Sequence, residues 1–254
     1  MNNLFSIVTV VFNDEKVIEE TLRSINNQLY ENIEFIIVDG GSKDGTLNII
    51  KKYRFNILIS EEDNGIFDAM NKGIQNASGE YIIFMNAGDS FFSKNTLKDI
   101  NNTLGDSSPD FIYGDSIEFD KNKSFYKKAR RHSTIWYGMF AHHQAMLYKK
   151  SVIDINNISY NLDYMKAGDY AFTATFLSFA NSVLYFPKPV CKYLLGGLSF
   201  TNFSNDFSEL KLIKKEILGL STIKIFLITS LQKLLNMLRK KATPFYNLIR
   251  YGHF

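Results

Sequence analysis

Two carboxylates stand where a binding crevice is easiest to build. Asp39 closes the apolar run Ile33–Val38, and Asp89 follows Tyr81-Ile82-Ile83-Phe84-Met85 after the small turn Asn86-Ala87-Gly88. A short apolar run that breaks at once into Asn, Gly and Asp reads as a buried strand opening into a loop. In an open α/β sheet, ligands settle outside the carboxyl ends of the strands, so both acids are expected to line one crevice. Asp-Gly-Gly and Gly-Asp are also ordinary turn sequences, and closing a turn is the competing account of each acid taken alone. His142-His143-Gln144 forms a third polar cluster. A His pair without a carboxylate at helical spacing is by itself a weak metal signature.

The elements that must position these residues follow from hydrophobic periodicity. Phe5 to Phe12 is a near-continuous β-branched run, the pattern of a strand covered on both faces. Asn13 and Asp14 are expected to cap a helix with Val17, Ile18, Leu22 and Ile25 on one face. A strand over 33–39, a helix over 47–53, a strand over 55–60 and a helix over 66–77 follow, and the run at 81–85 is the fourth strand. This βα alternation predicts a parallel doubly wound sheet. After residue 90 a helix is expected from Ser93, as cap, to Leu104. Strands are expected at 111–119 and 124–128 around a turn at 120–123, and again at 145–148. A helix over 170–179 then precedes one or two strands over 182–195, broken by Pro187 and Pro189.

Composition bounds the class. The 254 residues, 45% hydrophobic and 15% aromatic, suffice for one sizeable core. The lone Cys191 excludes an internal disulfide and a cysteine metal cluster, which fits a reducing cytosol. Asn2 and Asn3 followed by an early strand do not read as a secretory leader, and the apolar stretch Ile225–Leu231 is far short of the ~20 residues that span a bilayer. The net charge of +3 is uneven: nine Lys or Arg against three acids after residue 204 give that tail +6, leaving −3 for residues 1–204. A mildly acidic body argues against a nucleic-acid partner and directs any anionic partner to the tail.

Several motifs in order carry a family resemblance. Ser6-Ile7-Val8-Thr9-Val10-Val11-Phe12-Asn13, Val38-Asp39-Gly40-Gly41-Ser42-Lys43-Asp44-Gly45-Thr46, Asp63-Asn64-Gly65 with Ala69-Met70-Asn71-Lys72-Gly73-Ile74, and Gly79-Glu80-Tyr81-Ile82-Ile83-Phe84 resemble family 2 glycosyltransferases of the GT-A fold. Further on, His143-Gln144-Ala145 and Ala167-Gly168-Asp169-Tyr170 look like the colanic-acid-type subgroup. The resemblance implies inverting transfer of a sugar from a nucleoside diphosphate sugar, a UDP-sugar in the first instance, to a glycan or lipid-linked glycan acceptor. It implies a GT-A domain over 1–204, with a nucleotide half at 1–90 and an acceptor half at 91–204. Thr9, Phe12 and Asn13 would sit at the base and ribose, and Asp39 would accept from the base. Asp89 would hold Mg²⁺ or Mn²⁺, cations suited to hard oxygen ligands. Asp169 would be the general base on the acceptor hydroxyl, and His143 would contact the metal or diphosphate.

The departures from the family pattern are local. Asn86 stands where the family usually carries the first acid of its metal motif, and is a neutral ligand or ribose partner here. Met70 replaces a common Arg, leaving Asn71 and Lys72 as the donor-side residues of that helix, with a solvated Lys as the competing account. Gly196-Gly197-Leu198-Ser199 resembles a loop that closes over the site. Arg130-Arg131-His132 reads as a solvated basic turn or a phosphate contact. The tail 205–254 carries apolar residues at spacings of three and four among its cations, which suits either an interfacial membrane helix or one packed on the body over 206–220, and an anionic membrane surface over 222–254. The expectation is therefore a cytoplasmic enzyme of bacterial surface polysaccharide assembly, peripheral on the inner face of the membrane. A non-catalytic sugar-nucleotide-binding or scaffold protein is the alternative, since the acidic motif is depleted. A nucleotidyltransferase is disfavoured for want of a Gly-rich triphosphate loop near the first strand.

Overall fold

A computed structural model describes residues 2–119, 124–194 and 207–241. Strands β1 (Phe5–Val11), β2 (Ile33–Asp39), β3 (Ile57–Ser60) and β4 (Tyr81–Phe84) lie in the order β3-β2-β1-β4, all parallel. Helices α1 (Ile18–Asn26), α2 (Thr46–Ile50) and α3 (Ile66–Asn76) connect them. The chain continues through β5 (Ser90–Phe91), α4 (Thr96–Leu104), β6 (Phe111–Phe119), β7 (Ser124–Lys127), β8 (Met146–Lys149), α5 (Lys150–Ile155), α6 (Gly168–Phe179) and β9 (Val183–Leu194). These extend the sheet as β4-β8-β6-β9-β5, with β7 on β6. Strand β8 opposes both β4 and β6, while β6 and β9 pair in parallel and so run with β1 to β4. The mostly parallel sheet flanked by helices is the expected one.

Every residue of β1 is buried, as a run without polar alternation requires. Phe5, Ile7 and Val11 enter one core with α1, α2 and α4, whereas Val8 and Val10 enter the other with α3, α5 and α6. On the second face Phe172 and Phe176 of α6 pack edge-on against Tyr148 of β8, and Phe172 does the same against Phe84 of β4. The Tyr148 hydroxyl and Thr173 Oγ1 of α6 are hydrogen-bonded at 2.9 Å. The first turn of α6 is thereby fixed over the centre of the sheet.

Three local expectations are corrected. Asn13 and Asp14 do not cap α1 with their side chains; Asn13 takes a left-handed φ of 50°, and its Oδ1 accepts from Lys43 N–H at 2.8 Å instead. Helix α4 begins three residues after Ser93, whose Oγ accepts the Asn95 N–H (3.0 Å) in the preceding turn. Pro187 and Pro189 do not divide β9: the register slips beside Asp115, and the bulge absorbs the residues that cannot donate. The buried Asp115 carboxylate anchors this irregularity, accepting from the Tyr126 and Tyr185 hydroxyls and from Ala129 N–H. Strand β5 and helix α5, too short to show a period, were not anticipated.

Among the described residues, helices α7 (Ser208–Glu216) and α8 (Thr222–Lys241) follow the body. Ile213 is fully buried with Ala167, Tyr170, Ala171 and Ala174, so α7 packs on α6. Lys214, buried in α7, donates to Gln232 Oε1 of α8 (3.1 Å), and Gln232 Nε2 donates to Tyr137 O (2.6 Å). The boundary at 204/205, the Gly196–Ser199 loop and the tail beyond 241 lie outside the described residues. Among the described residues no helix is long and apolar enough to cross a membrane.

Candidate active site

The antiparallel insertion of β8 beside β4 builds the site. Ile83 pairs with Leu147 and Tyr81 with Lys149, so the residues preceding β8 run alongside those following β4. His143 and Gln144 therefore meet Asn86 and Asp89. Gln144 Nε2 donates to Asp89 Oδ2 at 2.5 Å, and Asn86 Nδ2 lies 3.4 Å from His143 Nε2. The other ring nitrogen, His143 Nδ1, lies 3.8 Å from Asp169 Oδ2 in the first turn of α6. Asn86, Asp89, His143, Gln144 and Asp169 thus form one continuous polar lining.

The turn 86–89 is pinned from beneath by Thr21 of α1. Its hydroxyl donates to Asp89 O (2.7 Å) and accepts the Gly88 N–H (3.0 Å). Gly88 has φ 92°, a left-handed conformation in which a side chain would be strained. Thr21 is the one polar residue among the buried positions of α1, and that break in an apolar face was the sequence signal for it.

Burial sets the protonation states. The surrounding protein pushes the Asp169 carboxyl up to about 6, against the lowering effect of the Tyr170 N–H, which donates to its Oδ1 at 2.8 Å. About a third of the side chain (31%) remains exposed, so the group is crowded by protein and still reachable. His143 is held down to about 3, first by burial and then by His142. It is neutral at physiological pH, and its contact with Asp169 is not an ion pair. Taking Asn86 Nδ2 as the donor to Nε2, at 3.4 Å, leaves the imidazole proton on Nδ1, on the Asp169 side.

The remaining expected residues fall into two groups. Phe12 is 58% exposed at the end of β1, an aromatic face available for stacking. Thr9 is not brought to the crevice: it is fully buried and its hydroxyl donates to Met85 O at 2.7 Å. The Asp39 carboxylate is also fully buried, and accepts from Ser42 N–H and from Ser60 Oγ (2.8 Å) across the β2–β3 pair. Asn71 uses both amide atoms to clamp Tyr160, donating to its O (2.9 Å) and accepting its N–H (2.8 Å). Lys72 is paired with Glu61 at 2.8 Å and lies 3.6 Å from Asp68. Arg130 is not a free basic turn: its guanidinium donates to Met139 O (2.7 Å) and lies over the Tyr137 ring.

His142 belongs to a different cluster. Its Nε2 is 3.1 Å from Glu118 Oε1, and its ring stacks on Tyr193 at 4.2 Å. Glu118, fully buried near the end of β6, carried no motif and was missed.

The fit to a divalent cation can be judged from the donor atoms. Among the described residues no group of three or more His, Cys, Asp or Glu is arranged to hold a metal. Asn86 Oδ1 and Gln144 Oε1 are, however, buried without a hydrogen-bond partner on either side of Asp89 in this lining. One carboxylate with a neighbouring amide oxygen suits a hard cation whose other ligands come from a bound diphosphate.

The architecture places the chain in a structural class. The crystal structure of S. aureus TarS 1–349 in complex with UDP-GlcNAc matches with TM-score 0.72 at 24% identity, over 93% of this chain and 73% of that one. The mannosyltransferase PcManGT from Pyrobaculum calidifontis, in complex with GDP-Man and Mn²⁺, matches with TM-score 0.60 at 16% identity over 85% and 62%. The fold is of the GT-A type that these structures share. Residues 6–164 match the family described as glycosyl transferase family 2. The PGL/p-HBAD biosynthesis glycosyltransferase of Mycobacterium tuberculosis is 30% identical over 224 residues, 80% of this chain and 82% of that protein. The chain belongs to glycosyl transferase family 2.

A neutral, buried His143 has a direct spectroscopic consequence. Its imidazole nitrogens, followed by ¹⁵N NMR, should show no titration between pH 8 and 5 and should keep the proton on Nδ1; a midpoint near the ordinary value of about 6.5 would contradict the assignment.

Proposed function

We propose that the protein is an inverting glycosyltransferase that moves one sugar from a nucleoside diphosphate sugar to an acceptor hydroxyl. The observation that carries this is the continuous lining from Asp89 to Asp169. It sets a crowded carboxyl, poised as a base, opposite a turn suited to a diphosphate. The acceptor oxygen attacks the anomeric carbon, Asp169 takes its proton, and the bond from that carbon to the phosphate oxygen breaks. A carboxyl with a pKa near 6 is a stronger base than an ordinary aspartate and is still mostly ionised at neutral pH. His143, neutral and 3.8 Å from Asp169, adds no positive charge beside the carboxylate. Asp89, held by Gln144, and the amide oxygen of Asn86 are the atoms that would hold Mg²⁺ or Mn²⁺. When bound there, the cation neutralises charge on the departing diphosphate.

A UDP-sugar is the preferred donor, because TarS, with the same fold, was crystallised with UDP-GlcNAc. Phe12 offers the base its exposed ring. Thr9, Asn13, Asp39, Asn71 and Lys72 act as the frame of the donor side, given the internal partners they hold. The acceptor is a glycan or lipid-linked glycan of bacterial surface polysaccharide assembly, reached from the inner face of the membrane.

Helix α8 supports that location. Ile225, Ile228 and Thr229 are buried, whereas Ile223, Phe226, Leu227 and Leu231 are from 49% to 75% exposed. From residue 217 to 254 the chain has six Lys or Arg and no Asp or Glu. An apolar face rimmed only by cations fits an anionic bilayer surface.

Asp169→Asn is expected to retain UDP binding by calorimetry while kcat falls about 10²- to 10⁴-fold. The parent's kcat/KM should fall as pH drops through about 6, because the base must be deprotonated; normal turnover by the variant removes the assignment. Release of UDP from the donor separates an enzyme from a non-catalytic sugar-nucleotide-binding protein. For the membrane, the full chain should co-sediment with phosphatidylglycerol vesicles and less with phosphatidylcholine alone. Phe226→Glu with Leu227→Glu should abolish this binding, and undiminished binding would contradict the role of α8.

A further inference from the structure

The turn that carries Asp169 is held from outside the sheet. Glu209, in the first turn of α7, accepts three backbone N–H groups: Met165 on Oε1 (2.9 Å), and Lys166 (3.0 Å) and Ala167 (2.8 Å) on Oε2. Helix α6 starts at Gly168 and has no side-chain cap of its own at Ala167. N–H groups ahead of a helix have no intrahelical acceptor and need one from elsewhere. A carboxylate that collects three of them is a charge-assisted anchor with a fixed direction. Ala167, the last residue it holds, is two residues from Asp169.

The rest of the contact reinforces the anchor. Ile213, one turn beyond Glu209, is buried against Ala167, Tyr170, Ala171 and Ala174. From the opposite side, Thr173 Oγ1 donates to Asp169 O (2.8 Å) and pairs with the Tyr148 hydroxyl of β8. The first turn of α6 is thus gripped between the sheet and α7. The grip on the sheet side fixes its height over β4 and β8, and the grip by Glu209 fixes the chain entering it. The bonds Glu209 makes to this turn are all to backbone N–H groups, so its hold on it is geometric.

We propose that Glu209 is a positioning residue for transfer: it holds residues 165–167 so that the Asp169 carboxylate stays against His143. The proposal rests on the reading of Asp169 as the base. It makes α7 part of the catalytic apparatus, although α7 lies past the residues that match the family. A base displaced by about 1 Å can cost on the order of 10²-fold in rate while leaving donor binding intact.

The test uses the full chain with Glu209→Ala and Glu209→Gln, each also combined with Asp169→Asn. The amides of Met165 to Ala167 should exchange faster with deuterium in Glu209→Ala. Its kcat should fall at least about tenfold, with the donor KM within about twofold and UDP binding unchanged. Glu209→Gln, which keeps one acceptor oxygen, should fall between. In the Asp169→Asn background neither change should lower the residual rate further, because the group being positioned is gone. An equal fractional loss in both backgrounds overturns the proposal, as does faster exchange at 165–167 with unchanged kcat. If Asp169→Asn alone keeps full transfer, the base assignment fails first and the positioning role falls with it.

Discussion

The crowding of the Asp169 carboxyl is the constraint from which the rest of the site follows. Burial disfavours the ionised form, and a carboxyl raised to about 6 takes a proton more readily than one in water. That advantage survives only if no cation stands beside it. His143 does stand beside it, at 3.8 Å, and a protonated imidazole there would pull the carboxyl back down. The imidazole must therefore be neutral, and its own burial keeps it so. Asn86 is compatible with this state: its amide nitrogen lies 3.4 Å from His143 Nε2 and brings no charge to the imidazole. A carboxylate at position 86 would instead favour the imidazolium. Asn86, a neutral amide, adds no such charge, and Asp89 is the carboxylate of the turn.

Topology brings these groups together although they are far apart in sequence. The parallel half of the sheet delivers the 86–89 turn at the carboxyl end of β4, with Thr21 beneath it. Because β8 runs antiparallel to β4, its leading residues, not its trailing ones, arrive at the same edge. Helix α6 then sets its first turn over that edge through the packing of Phe172 and Phe176. Helix α7 closes the arrangement from behind through Ile213 and Glu209.

The parts legible in the sequence were those encoded by local pattern. The four parallel strands and their helices announce themselves through continuous apolar runs and 3.6-residue periods, and Asp89 is marked by the turn before it. What could not be read were partnerships made across the fold. Asp39 looks ligand-facing from its place at a strand end, and Thr9 and Asn71 from the family resemblance, yet each spends its polar atoms on a neighbour from another element. The prolines of β9 suggested a break because the bulge that accommodates them is formed by Asp115 on a different strand. Glu118 and Glu209 carry no motif; only the assembled structure gives them His142 and the 165–167 backbone as partners.

In the proposed mechanism donor and base meet along the lining from Asp89 to Asp169. The most direct measurement is a crystal structure of the protein with UDP and Mn²⁺. The diphosphate and metal are expected at the 86–89 turn, with Asp89 as a metal ligand and Asp169 facing the side on which the sugar would lie. A diphosphate bound away from Asp89, or bound on the far side of the turn from Asp169, would contradict it.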